Sequence, residues 1–154
     1  MKAQLRIRPT AGPSEYPALA AIWRSSVDAT HDFLADADRD AIEARLQSDY
    51  FPAVTLSVAE IDGRPVGFAG VHDTSLEMLF VDATHRGGGI GTALLAHAID
   101  TQGVTTVDVN EQNVLAAGFY ARQGFVVVGR SETDEAGRPY PLLHLRLSDP
   151  ASRD

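Results

Sequence analysis

"HRGGGIGT", residues 85–92, sets three glycines in a row and a fourth after one apolar residue, directly ahead of a helix-like run. Glycine loses more backbone freedom on folding than any other residue, so a passive connector seldom carries so many. The run is either flexible punctuation or backbone kept bare so that an anion can come close. Its flanks bear on the choice. "IGTALLAHAID" puts Ile90, Leu94 and Ala98 on one stripe with Leu95 and Ile99 beside it, which predicts an amphipathic helix stopped by Gly103. Backbone N–H groups in a helix's first turn have no intrahelical partner, and the helix dipole there favours negative charge. Arg86, Gly89 and Gly91 spell R-x-x-G-x-G at that start, and Arg86 can add a charge-assisted contact. The local chemistry predicts an anion-binding loop without naming the anion.

Two nucleotide motifs compete for the same glycines. A P-loop needs Lys and then Ser or Thr after its last glycine, and here Gly91 is followed by Thr92 and Ala93. The dinucleotide pattern G-x-G-x-x-G begins well at Gly89 and Gly91 but finds Leu94 in place of the third glycine. Asp108 does lie about twenty residues on, where that pattern wants an acid. The connection "DATHRGG" is nevertheless long where a tight turn is required.

Outward from the run, the chain alternates readable segments. "LRIR" (5–8) reads as a strand closed by Pro9, and residues 13 to about 50 read as two helices parted by a loop near His31. "VTLSVAEI" (54–61), "VGFAGVH" (66–72) and "SLEMLFV" (75–81) predict a three-stranded antiparallel meander, with Asp62-Gly63 as a hairpin turn. After the glycine-led helix come the strand "TTVDVN", a helix over "VLAAGFYARQ" capped by Asn113 and ended by Gly124, and the strands "FVVVGRS" and "PLLHLRL". The expected order is β-α-α-β-β-β-α-β-α-β-β, one domain over residues 1–148 with a tail from 149 to 154.

Composition narrows the function classes. The 154 residues are 44% hydrophobic and 22% charged, an ordinary globular balance with no apolar run long enough for a membrane span. A formal charge of −8 disfavours nucleic acid and tolerates cationic partners. With no cysteine there is no disulfide, thiolate metal site or cysteine nucleophile, which suits the cytoplasm. The five histidines show no spacing that commits to a metal.

The downstream stretch "NVLAAGFYARQGF" (113–125) fits N-x-x-A-x-x-F-Y-x-x-x-G-F. Joined to R-x-x-G-x-G at this spacing, with "MLFV" before it, the chain resembles the GNAT superfamily of N-acetyltransferases. "HDFL", "LFVD", "VDVNEQN" and "GRPYPLLHLRL" resemble one bacterial branch of it, the YjaB-like proteins. The resemblance implies an α/β (α+β) fold: a mixed, mostly antiparallel twisted sheet of about seven strands with helices on both faces. It implies acetyl-CoA as cofactor, with a primary amine, small or on a protein lysine, as acceptor. The pantetheine arm would run along the main chain of Leu79, Phe80 and Val81. The pyrophosphate would rest on N–H groups from Gly87 through Gly88, Gly89, Ile90 and Gly91 to Thr92, beside Arg86. Asn113 would approach the arm's far side or serve as a helix cap alone. Homodimers are common in the superfamily.

Acetyl transfer to an amine requires a neutral amine, stabilisation of the developing oxyanion and a proton for the departing thiolate. The resemblance assigns that proton to Tyr120, whose phenol, with a pKa of about 10, is protonated at neutral pH; a core aromatic is the competing role. Glu77, the only acid on its strand, shares a face with Ser75 and Leu79 under period-two alternation and is one candidate base. His72, at the end of the preceding strand, is another. Both have plain surface roles as alternatives. His31 and Phe33 in the loop between the first helices, and His144 on the last strand, are candidates for the acceptor site. Oxyanion stabilisation falls to a backbone N–H near Met78 or Leu79. The segment holding Asp28, Asp32, Asp36, Asp38 and Asp40 motivates a cationic acceptor, or is simply a solvated acidic surface. A non-catalytic acyl-CoA sensor on the same fold is the alternative function.

Overall fold

Asp62 and Gly63 both take positive φ, 53° and 79°, the dihedrals that let a two-residue turn follow the twist of its flanking strands. Around that turn the structure, a computed structural model that describes residues 4–148, builds the expected meander. β1 (Leu5–Pro9) pairs antiparallel with β2 (Thr55–Ile61), β2 with β3 (Arg64–His72), and β3 with β4 (Ser75–Val81). The tail expected at 149–154 lies outside the described residues. Chain contacts divide the molecule into two compact units after Val104.

In the first unit, helices cover both faces of the sheet. α1 (Tyr16–Thr30) takes one face because Leu19, Ile22, Trp23 and Val27 form a single buried stripe. Phe68 and Phe80 stand opposite each other in the register with rings 5.6 Å apart, and Trp23 meets Phe80 at 6.4 Å. α2 (Asp36–Arg45) follows, and the chain then widens into a π turn at Leu46–Tyr50 and tightens into a 3₁₀ turn at Phe51–Ala53. Those turns replace the last part of the expected second helix. They set Leu46 and Phe51 into the core, where the Phe51 ring lies 5.5 Å from that of Phe68. Burying side chains of this size contributes about 1.5–3 kcal/mol each.

The opposite face receives α3 (Ile90–Gln102), which begins at Ile90 as expected and ends at Gly103 in a left-handed cap (φ 70°). Its first two turns sit on Gly67 of β3. A Cβ there would lie 3.1 Å from the Phe80 carbonyl oxygen and 3.2 Å from both Ile90 Cγ2 and Leu94 Cδ1. At the sheet's margin Arg8 joins three segments: it donates to Glu15 at 2.6 Å and to Glu60 at 2.8 Å. Thr10 and the Ala11 N–H also donate to Glu15. Chiefly through Arg8, the Glu15 carboxyl is held at about 2.

The second unit contains β5 (Thr106–Asn110), α4 (Val114–Arg122), β6 (Phe125–Ser131) and β7 (Leu142–Leu147). β7, last in sequence, lies between the other two strands and pairs antiparallel with each. Val107, Val109, Phe125 and Leu145 are buried, and Tyr120 of α4 packs on Phe125 with ring centroids 5.7 Å apart. The seven strands and four α-helices described here follow the expected order.

Gly67→Ala is expected to destabilise the protein by about 1–3 kcal/mol through overpacking, read as a lower urea midpoint at unchanged slope. Glu15 predicts a pH dependence of known sign. Its folded pKa is depressed, so the pairing stabilises above the ordinary carboxyl pKa of 4.5 and is lost as pH falls towards 2. Glu15→Gln should therefore lower the midpoint at neutral pH and flatten its decline across that window.

Candidate functional site

The glycine loop is built on a joint at the end of β4. Asp82 accepts hydrogen bonds from Ser25 of α1 at 2.7 Å and from Thr84 at 2.6 Å, with His85 Nδ1 at 3.1 Å. The Ala83 N–H donates back to Ser25 Oγ at 3.1 Å. These contacts, Ser25 first, hold the Asp82 carboxyl below the usual range. They fasten α1 to the 3₁₀ turn Ala83–His85 that leads into the loop. Arg86 follows, exposed on extended backbone.

Gly87 and Gly89 then take φ of 81° and 82°, and Gly89 is the N-cap of α3. An added Cβ at either position would meet nothing within 4 Å, so dihedral preference rather than internal crowding demands glycine there. The first i→i−4 bond of α3 runs from the Ala93 N–H to the Gly89 carbonyl at 3.0 Å. The N–H groups of Ile90, Gly91 and Thr92 precede it at the helix's positive end. Ile90 is buried, anchoring the turn, while Thr92 is exposed.

β4 carries Leu79, Phe80 and Val81 opposite Ala69, Phe68 and Gly67. Further back its register shifts: Met78 faces Gly70, but Leu76 faces Val71. Glu77 is the extra residue of a β-bulge, and the alternation expected to align it with Ser75 and Leu79 is broken there. Glu77 is exposed, as is His72, whose Nε2 lies 3.5 Å from Asp73 across the turn.

His31 caps the end of α1, and its ring stacks on Phe33 at 5.2 Å and approaches Phe80 at 6.4 Å. Thr30 Oγ1 donates its one proton to the Ser26 carbonyl at 2.8 Å, so His31 Nδ1–H donates to Thr30 Oγ1 at 2.7 Å. In this tautomer Nε2 carries the lone pair. Burial lowers the His31 pKa against the opposite pull of Asp32, which favours the neutral ring. The acidic segment around it is largely matched by arginine. Arg24 bonds Asp28 and Glu43 at 2.9 Å each, and Arg39 bonds Asp36 and Asp40 at 3.1 Å each. That pairing weakens the segment as an attractor for cations.

In the second unit, Asn113 caps α4, its Oδ1 accepting the Ala116 N–H at 3.2 Å. Tyr120 is 6% exposed, and burial pushes its phenol well above the ordinary value. His144 makes contacts that no sequence pattern signalled: Nδ1 lies 2.7 Å from Asp108 Oδ1 and Nε2 lies 2.6 Å from Ser131 Oγ. Asp108, the acid a dinucleotide site would want on a ribose, is thus engaged with a histidine. The Asp82–Ser25 joint also escaped sequence reading, since its partners are 57 residues apart. Among the described residues no group of three or more His, Asp or Glu is placed to hold a metal, and no helix is long and apolar enough to cross a membrane.

Comparison with known proteins places this arrangement. The family model "Acetyltransferase (GNAT) domain" matches residues 52–127, from the 3₁₀ turn before β2 into the first half of β6. The peptidyl-lysine N-acetyltransferase YjaB of Salmonella typhimurium is 51% identical over 128 residues, 82% of this chain and 88% of that protein. The solution structure of apo YjaB from Escherichia coli superposes with a TM-score of 0.85 at 43% identity, covering 94% of this chain and 97% of that one. An N-acetyltransferase from Thermoplasma acidophilum, solved with coenzyme A, shares the fold at a TM-score of 0.73 and 18% identity, over 93% and 99% of the two chains. The glycine loop, the strand before it and the helix capped by Asn113 all fall inside the matched region, and the chain belongs to the GNAT family of N-acetyltransferases.

Proposed function

We propose that this protein acetylates lysine side chains of other proteins, with acetyl-CoA as the donor. The observation that carries the reading is the 51% identity to a peptidyl-lysine N-acetyltransferase across most of both chains. The residues present suit the cofactor. Two positive-φ glycines turn the backbone at 87 and 89, and the N–H groups of the first turn of α3 follow directly. That is the donor set a pyrophosphate needs, with Arg86 exposed beside it. Leu79, Phe80 and Val81 offer main chain to the pantetheine arm, and Asn113 combines its capping role with a contact to that arm. When bound, acetyl-CoA supplies an acetyl group activated as a thioester.

The chain's own residues then have three tasks. Glu77 is the base in this reading, because its carboxylate is exposed on the β4 bulge and can take the proton of an incoming ammonium directly or through water; His72 is the alternative. A backbone N–H near Met78 or Leu79 faces the oxyanion. Tyr120 donates the proton to the departing sulfur; the upward push on its pKa keeps the phenol protonated until then. His31, Phe33 and His144 contact the acceptor. A neutral His31 does not repel the cationic lysine before its deprotonation. The same reading makes residues 1–148 one catalytic domain acting in a bacterial cytoplasm.

Free thiol should appear when the protein is mixed with acetyl-CoA and lysine-containing peptides, and far more slowly with polyamines or amino sugars. Thiol release on no lysine peptide would overturn the reading, and cofactor binding without release on any amine would favour a sensor. Tyr120→Phe should lower turnover about 10²-fold or more while leaving acetyl-CoA affinity nearly unchanged. Equal loss of both would reduce Tyr120 to a packing residue.

A further inference from the structure

The geometry points to a second, separate chemistry in the second unit: Asp108, His144 and Ser131 form a relay that makes Ser131 a nucleophile towards small activated acyl esters. Three strands assemble it. Asp108 of β5 stands directly opposite His144 of β7, and on the other side of β7 the residue opposite His144 is Gly129 of β6. A Cβ on Gly129 would lie 3.4 Å from His144 Cδ2 and 3.7 Å from its Cβ. The imidazole therefore lies against bare backbone and reaches Ser131, two residues further along the same face. The resulting contacts are 2.7 Å from Asp108 Oδ1 to Nδ1 and 2.6 Å from Nε2 to Ser131 Oγ.

Proton positions follow from the partners. An ionised carboxylate only accepts, so Nδ1 carries the hydrogen. In the neutral ring Nε2 is then the acceptor, and the Ser131 hydroxyl must donate to it. That is the orientation in which a histidine removes a serine proton, with the acid fixing the tautomer. The group is reachable from solvent, since the His144 and Asp108 side chains are 34% and 41% exposed. Val126, half exposed and opposite Arg146, lies on the face that carries His144 and offers apolar surface to an acyl group.

The step balances within these residues. Ser131 Oγ attacks the acyl carbonyl while its proton passes to His144 Nε2, the bond to the leaving oxygen or sulfur breaks, and that atom takes the proton back. Water attacks the acyl-serine by the same route and restores the hydroxyl. The step itself consumes no amine and no coenzyme, although it draws on His144, which the proposed function also sets against the acceptor.

The test uses the full chain with three probes: a fluorophosphonate, p-nitrophenyl acetate, and acetyl-CoA without amine. Peptide mass spectrometry should find the phosphonyl adduct on Ser131, and p-nitrophenolate should be released catalytically. Asp108→Asn and His144→Gln should each lower that release about 10²-fold while circular dichroism stays native, and Ser131→Ala should abolish the adduct. An acyl-Ser131 formed from acetyl-CoA as well would extend the donor class to thioesters; one formed from p-nitrophenyl acetate alone would restrict it to oxygen esters. No adduct on Ser131, or ester hydrolysis unchanged in Ser131→Ala, would overturn the proposal and leave the three residues as a cross-strand hydrogen-bond network.

Discussion

The first two turns of α3 rest on a strand position that has no side chain. At Gly67 the Phe80 carbonyl, Ile90 and Leu94 all approach to within 3.2 Å of where a Cβ would sit, so helix and sheet meet at backbone distance. That closeness fixes where α3 begins, and with it where the three leading N–H groups stand relative to β4. The Asp82 joint fixes the same segment from the other side of the sheet, because Ser25 belongs to α1. Backbone donors have no side chain to adjust, so their placement must come from such supports. Packing on one face and hydrogen bonding on the other supply them.

The order of elements was legible because each rests on local chemistry. The period-3.6 stripe from Ile90, the Asp62-Gly63 turn, the Asn113 cap and the stops at Gly103 and Gly124 are short-range signals, and each stands where it was read. Position 87 shows what the sequence withheld. The R-x-x-G-x-G motif gives no reason for glycine there, yet its φ of 81° requires one, while Gly88 is not among the glycines of positive φ. Residues 46 to about 50 read as a continuation of the helix because Leu46 keeps the stripe. Burial of Leu46 and Phe51 together instead asks for a wider turn and then a tighter one, a tertiary demand that local propensity does not record.

The candidate site divides along the same line. Arg86 to Thr92 are singled out by motif spacing and Leu79 to Val81 by the family resemblance, and both sets depend on backbone position alone. Residues whose environment depends on pairing could not be located in this way. Period-two alternation aligned Glu77 with Ser75 and Leu79, and a one-residue bulge undid it. His144 could be placed on a strand, but its partners are 36 and 13 residues away and are joined only by the register of β7. Conversely, the sequence leaves the acidic run near His31 open between a cation attractor and a solvated surface, and its pairing with Arg24 and Arg39 favours the second.

The place of β7 in the second unit has a consequence for how that unit comes into being. β5 and β6 precede it in the chain and share no other neighbour within the unit. During synthesis β6 must wait, without a partner strand, for one made after it. The valines of β6, half exposed even in the finished fold, are then open on every side. Such an interval is when edge-to-edge association between nascent chains competes best with folding. The bulge between Val127 and Gly129, besides giving His144 its room, breaks the flatness that such association requires.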